Sequence, residues 1–206
     1  MPRKTKEEAQ ATRSRILDAA ERVFQTEGVS RTSLQDVAAA AGVTRGAVYW
    51  HFKDKGDVFN AMMDRVILPM EQASAALDGD NGQPVLPALR QRLLEALTSV
   101  TQDAQVRRVL EIALHKCEDV EELRAMRKRR LEIRAAYRTR LGRQLQRGQV
   151  RGEVTTALPA AHLAIGLHAL IDGLIHNWLI DPAGFDLQRV GTQAIDVHLA
   201  GLATPG

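Results

Sequence analysis

Cysteine is nearly absent: Cys117 is the only one in 206 residues. A single thiol closes no intrachain disulfide, so an oxidising compartment offers this chain nothing. Aromatic residues are scarce at 4%, while Ala and Leu are plentiful, a balance that favours helix over a β-sandwich. No stretch alternates apolar and polar residues as a strand would, no segment repeats at a fixed period, and no tract is of low complexity. The opening MPRKTKEEAQ is charged and carries no apolar core, so it does not read as a secretory leader. The most apolar run, Leu163 to Ile180, is interrupted by His168, Asp172, His176 and Asn177, which a lipid-spanning helix would hold at high cost. Enzyme signatures are missing as well: there is no G-x-S-x-G, P-loop, H-E-x-x-H or cysteine pair. His115 and Cys117 stand two apart on a helix pattern and face different ways, a poor base and nucleophile. The expectation is a cytoplasmic, all-α, non-enzymatic protein with no cofactor and no membrane partner.

Charge is spread unevenly. The chain carries +3 overall, yet residues 121–151 alone hold 11 Lys and Arg against 3 Asp and Glu. Part of that excess is the run Arg127 to Arg130, which reads as the solvated face of a long helix, since apolar residues continue through it at helical spacing. At the N-terminus, Arg3, Lys4 and Lys6 form a charged arm that could touch a polyanion or simply be solvated.

Hydrophobic spacing then marks about nine helices. The first, about Glu8 to Gln25, carries Ile16, Ala19, Ala20, Val23 and Phe24 on one stripe and closes at Gly28. Thr32 reads as the N-cap of a second helix, with Gln35 as its capping-box partner and Leu34, Val37, Ala38 and Ala41 on its apolar face. Gly42 supplies a turn residue free to adopt positive φ, and Thr44 caps a third helix from about Arg45 to His51. Phe52 and Phe59 complete a three-helix core. Asp54 caps a connector helix, with Asp57 in its first turn, that meets Pro69 and reaches about Leu77; it either kinks or breaks there. After the loop Asp78 to Pro84 come patterns through Leu86–Val100, Val106–Leu114 and Leu123–Leu145. Another runs from Pro159 to Trp178, stopped by Asp181 and Pro182, and a last one carries Leu187–Val197.

Two short helices about a glycine turn form a helix-turn-helix, whose second helix would enter a DNA major groove. Thr44, Arg45, Tyr49, Trp50 and His51 cannot all be buried on seven residues, and small Gly46 and Ala47 permit close backbone approach. Lys53 and Lys55 follow where cations would reach phosphates. The run GVTRGAVYWHFKDKGDVF closely resembles the recognition helix and exit of TetR-type repressors. The opening RKTKEEAQATRSRILDAAERVFQTEGVSRTSLQDVA and the later DGLIHNWLIDP resemble the AcrR-like branch, which represses multidrug efflux pumps. The resemblance implies a helix-turn-helix domain over residues 1–53 and an effector-binding and dimerisation domain over 54–206. It assigns Ser33, Thr44, Arg45, Gly46, Tyr49, Trp50, His51 and Lys55 to double-stranded operator DNA. It lines a cavity for a small hydrophobic or amphipathic effector with Leu93, Leu110, Leu114, Tyr137, Leu141, Ile171 and Ile175.

The last two long helices are too apolar for one chain of this size to cover. Leu163, Leu167, Leu170, Leu174 and Trp178 cannot share one core with Ile171 and Ile175, so a homodimer through a four-helix bundle is expected, with His162 and His198 nearby. Two recognition helices related by a twofold axis would read a palindrome with half-sites about 34 Å apart. Within the apolar helix, His168, Asp172 and His176 recur every four residues and share a face. Its ends lie about 12 Å apart at 1.5 Å per residue, too far for one metal ion to take both histidines. Three readings stay open: a hydrogen-bonded network, the polar fixture of an effector pocket, or a His/Asp pair chelating metal with help from elsewhere. A metal- or redox-responsive regulator, or a regulator of a catabolic operon, is the corresponding alternative to efflux control.

Overall fold

The computed structural model describes residues 6–76, 82–117 and 124–204. Nine α-helices make up the described chain: α1 (Lys6–Glu27), α2 (Leu34–Ala41), α3 (Arg45–His51), α4 (Lys55–Ala76), α5 (Val85–Gln102), α6 (Ala104–His115), α7 (Arg124–Val150), α8 (Ala160–Ile180) and α9 (Leu187–Leu202). Among the described residues there is no strand, only an isolated antiparallel bridge between Val154 and Ala203. Packing divides the chain into two compact units, residues 1–70 with 108–130 and residues 71–107 with 131–206.

In the first unit α1 packs against α2 and α3. Ile16, Ala20 and Phe24 of α1 are fully buried with Val37 of α2 and Val48, the one core residue that α3 supplies. Phe52 and Phe59 close this core as expected, and each fully buried Phe contributes about 1.5–3 kcal/mol. Leu17 and Val29 extend it beyond the predicted stripe. Glu21 is buried too, a charge hidden inside an otherwise apolar helix face. It is neutralised by Arg65 of α4 and Arg108 of α6, each 3.4 Å away, as a buried carboxylate requires. Two more bonds tie α1 and its exit to α6 and its exit: Gln25 donates to Glu111 at 2.8 Å, and the Val29 amide to the Lys116 carbonyl at 2.9 Å.

The cap of α2 differs from expectation. Ser33, not Thr32, is the N-cap, and its box partner is Asp36, not Gln35. The Asp36 amide donates to Ser33 Oγ at 3.2 Å, and Asp36 Oδ2 accepts from the Ser33 amide at 2.8 Å. Thr32 is unavailable because its buried hydroxyl donates to the Gly28 carbonyl at 2.8 Å, closing the preceding turn. The other predicted caps hold. Gly42 adopts φ 62° after α2, Thr44 accepts from the Ala47 amide, and Asp54 accepts from the Asp57 amide. Helix α4 continues through Pro69 without a break. In the basic run, Arg127 and Lys128 are exposed and Arg129 pairs with Asp64 at 3.0 Å, a solvated helix face. Arg3, Lys4, Leu77, residues 78–81 of the expected loop, and Leu123 lie outside the described residues.

In the second unit α5 packs against α8 and α9, which also pack on each other. Leu89, Leu93, Leu97 and Val100 of α5 are buried with Leu163, Leu167 and Ile171 of α8 and Leu187, Ile195 and Leu199 of α9. The turn after α7 folds back closely on Gly148, where a Cβ would lie 2.5 Å from Val154 Cγ2. Helix α8 is long and apolar enough to cross a membrane, yet one face of it forms this core. Its other face is uncovered by the chain: Ile165 is 49% exposed and Ile180 63%, with Val197 on neighbouring α9 at 76%.

Candidate nucleic-acid interface and effector site

Helix α3 is anchored through Val48 and leaves nearly everything else outside. Tyr49 is 47% exposed and Trp50 72%, large aromatic surfaces on a seven-residue helix. Arg45 lies over the Tyr49 ring, 5.3 Å from its centroid, and donates to the Tyr49 hydroxyl at 3.3 Å. That stacking, at the i, i+4 spacing where helix side chains meet, fixes the direction of an otherwise flexible guanidinium. Trp50 meets His51 edge-on at 4.5 Å. Thr44 spends an oxygen lone pair on its cap and keeps a proton to donate. Gly46 faces open space: a Cβ there would meet only Thr44 Oγ1, at 3.9 Å. Together these groups present a cation, a hydroxyl, two aromatic surfaces and a bare stretch of backbone, the mixture that reads base edges and packs on sugar and phosphate.

Two residues assigned to this surface have their polar groups engaged within the chain. Lys55 is only 8% exposed, and its Nζ donates to the carbonyls of Ser30 and Thr32 at 2.9 Å each. It holds the loop between α1 and α2 and cannot also reach a phosphate. Spacing suggested the phosphate role because Lys55 follows the recognition helix directly; the fold turns it inward. Ser33 is exposed, but its hydroxyl donates to Asp36 at 2.6 Å while accepting in the capping box. Those bonds hold the Asp36 carboxyl below its ordinary range. Lys53 remains exposed beside α3.

Of the effector residues, Leu93, Leu141 and Ile171 are buried in the second unit, and Tyr137, His168, Asp172, Ile175 and His176 are half-buried there. The structure brings Tyr137 and His168 together, with ring centroids 5.4 Å apart. Asp172 is engaged by Arg134 of α7, a partner that reading α8 alone did not supply. Burial pushes the Tyr137 hydroxyl upward, opposed by Arg92 and Arg140. Burial likewise lowers His168, opposed by Asp172 and reinforced by Arg134 and Arg138, so its imidazole is neutral near pH 7. Leu110 and Leu114 are half-buried on α6, within the first unit. Among the described residues no three His, Cys, Asp or Glu side chains converge as a metal site, so the geometry gives the chelating reading no support.

Residues 16–62 match the model for bacterial regulatory proteins of the tetR family. Residues 84–203 match that for the C-terminal region of MAATS-type transcriptional repressors. The chain belongs to the TetR family. It is 39% identical over 191 residues to the HTH-type transcriptional regulator TtgR of Pseudomonas putida, covering 91% of this chain and 89% of that one. The crystal structure of NalD, described as the secondary repressor of the MexAB-OprM multidrug efflux pump in Pseudomonas aeruginosa, superposes with a TM-score of 0.88. Its identity is 37%, over 98% of this chain and 100% of that one. SmeT, the repressor of a Stenotrophomonas maltophilia efflux pump, also matches in its complex with triclosan, with a TM-score of 0.86 and 34% identity over 96% and 94% of the two chains.

Proposed function

We propose that this TetR-family chain is a ligand-responsive transcriptional repressor that binds a palindromic operator as a homodimer and controls a multidrug efflux operon. The observation that carries the DNA-binding half is the exposed face of α3, where Arg45 is held over Tyr49 and Trp50 stands 72% exposed beside the open backbone at Gly46. Arg45 and Thr44 read base edges, Tyr49 and Trp50 pack on sugar and thymine methyl groups, and Lys53 and His51 meet phosphates. Residues 1–53 act as the DNA-reading domain and 54–206 as the effector and dimer domain. The likeness to repressors of efflux pumps, and to one solved with triclosan, supports the choice of genes and of an apolar effector.

The homodimer is supported by the uncovered face of α8 and α9. Ala169, Leu170, Gly173 and Leu174 of α8, with Phe185 and Val190, line an open groove of about 340 Å³ that is mainly apolar, with Asn177 its polar side chain and no charged one. A second copy of the same face would bury it in a four-helix bundle. Within the effector domain, the half-buried Tyr137, His168, Asp172 and His176 are the polar groups beside buried Leu93, Leu141 and Ile171, an apolar lining with a few placed polar side chains, the usual composition of a small-molecule site. Effector binding that changes the spacing of the two recognition helices needs a coupling of only about 1–3 kcal/mol to alter operator affinity about 5–150-fold.

The test is fluorescence anisotropy with duplexes from the DNA flanking the gene. Arg45→Ala is expected to lower affinity for the preferred site while leaving nonspecific binding nearly unchanged. An equal loss on all duplexes would contradict a base-reading role for Arg45. Sedimentation showing only a 22.7 kDa species would remove the dimer.

A further inference from the structure

A second concave surface lies within the second unit, between α7 and the start of α8, and none of the effector residues lines it. Its volume is about 660 Å³, in the range of sites that take drug-sized molecules. The cationic groups on its wall are Arg138 and Arg143 of α7, and no carboxylate is among its lining residues. Arg143 is exposed and makes no ion pair with another described residue. The acids of this region are occupied elsewhere. Asp172 is held by Arg134, and Glu153 accepts from the Val85 amide at 2.6 Å. The apolar part of the surface is flat because its side chains are short. Gly142 and Ala161 bring α7 and α8 close, so that a Cβ on Gly142 would stand 3.8 Å from the Ala161 Cα. Ile165 rises at the edge, 49% exposed. The Gln146 amide completes the polar side.

The exposed Arg143 guanidinium, beside a floor of short apolar side chains and with no carboxylate among the lining residues, is complementary to one ligand chemistry. Guanidinium forks bind planar oxyanions in bidentate fashion, and a flat ring system packs on small side chains. We propose that the α7–α8 groove is a second small-molecule site, for a flat organic anion such as an aryl carboxylate. Its oxyanion pairs with Arg143, and its ring lies against Gly142 and Ala161 where α7 and α8 approach. None of the lining residues belongs to the effector set, so the site does not depend on that reading.

Calorimetry on the full-length protein tests this with 2-naphthoate and its uncharged isostere 2-naphthamide. Naphthoate is expected to bind at least about tenfold more tightly than the amide, the difference one charge-assisted pair supplies. Arg143→Gln, an exposed substitution with little bearing on folding, should erase that preference. Ala161→Phe, filling the groove, should abolish binding of both probes, whereas Ile171→Trp in the effector lining should leave both unaffected. Equal affinity for the two probes would overturn the proposal, as would a preference retained in Arg143→Gln. If neither probe binds and Ala161→Phe instead shifts the sedimentation of the assembly, the groove is occupied by a second copy of the chain and the proposal is wrong.

Discussion

Replacing Lys55 by Met separates two kinds of lysine that occupy the same sequence context. A phosphate-binding lysine would leave the free protein unaffected and weaken DNA. Lys55, 8% exposed, donates to the Ser30 and Thr32 carbonyls at 2.9 Å each. Methionine keeps most of the aliphatic volume and removes both donors. Hydrogen bonds from a charged group contribute about 1.5–3 kcal/mol each, and coupled loss of the pair is less than additive, so the change should cost roughly 2–4 kcal/mol. For a domain of this size each kcal/mol lowers Tm by about 2–4 °C, giving a fall of roughly 5–15 °C by differential scanning calorimetry. The second measurement is the salt dependence of operator affinity at a temperature where the variant is folded. Because Lys55 releases no counterion from DNA, the slope of log K against log salt should match that of the unsubstituted protein. A Tm unchanged within about 1 °C, together with a slope smaller by about one ion, would refute the structural role.

Gly46→Ala gives the converse behaviour. Its Cβ meets nothing closer than Thr44 Oγ1 at 3.9 Å, so helix propensity should raise stability by about 0.5–1 kcal/mol while operator affinity falls, read by calorimetry and anisotropy together. Gly148→Ala should destabilise by about 1–3 kcal/mol in urea unfolding, since its Cβ would fall 2.5 Å from the β-branched Val154 side chain. His168 predicts a pH dependence. Its folded pKa is lowered by burial, so as pH falls through the unfolded value near 6.5 the unfolded chain gains protons first. Stability should therefore decline from about pH 7 downward until the folded imidazole is also protonated, and His168→Gln should flatten that decline in urea titrations across pH 5–7.

Local rules determined much of this protein. The caps at Thr44 and Asp54, the glycine turn at Gly42 and the bounds of α3 depend on residues within one or two turns of one another, so spacing alone predicts them. The exposed aromatic and cationic content of α3 was legible for the same reason: seven residues offer too little face to bury it. The cap of α2 shows the limit of that reasoning, because Thr32 and Ser33 both begin acceptable capping boxes. The choice was made by a bond from Thr32 to Gly28 that depends on how α1 ends.

Tertiary structure decided the roles of charges and the membership of sites. Lys55 and Glu21 look solvated in sequence; one is buried under the α1–α2 loop and the other between two arginines distant in the chain. Asp172 finds Arg134 only because the fold brings α7 near α8, which approach each other closely at Gly142 and Ala161, beside the groove at Arg143. The physical division is one of range. Helix formation and capping are set by neighbours at fixed spacing, whereas the energy of a charge depends on which distant helix faces it and how much water remains.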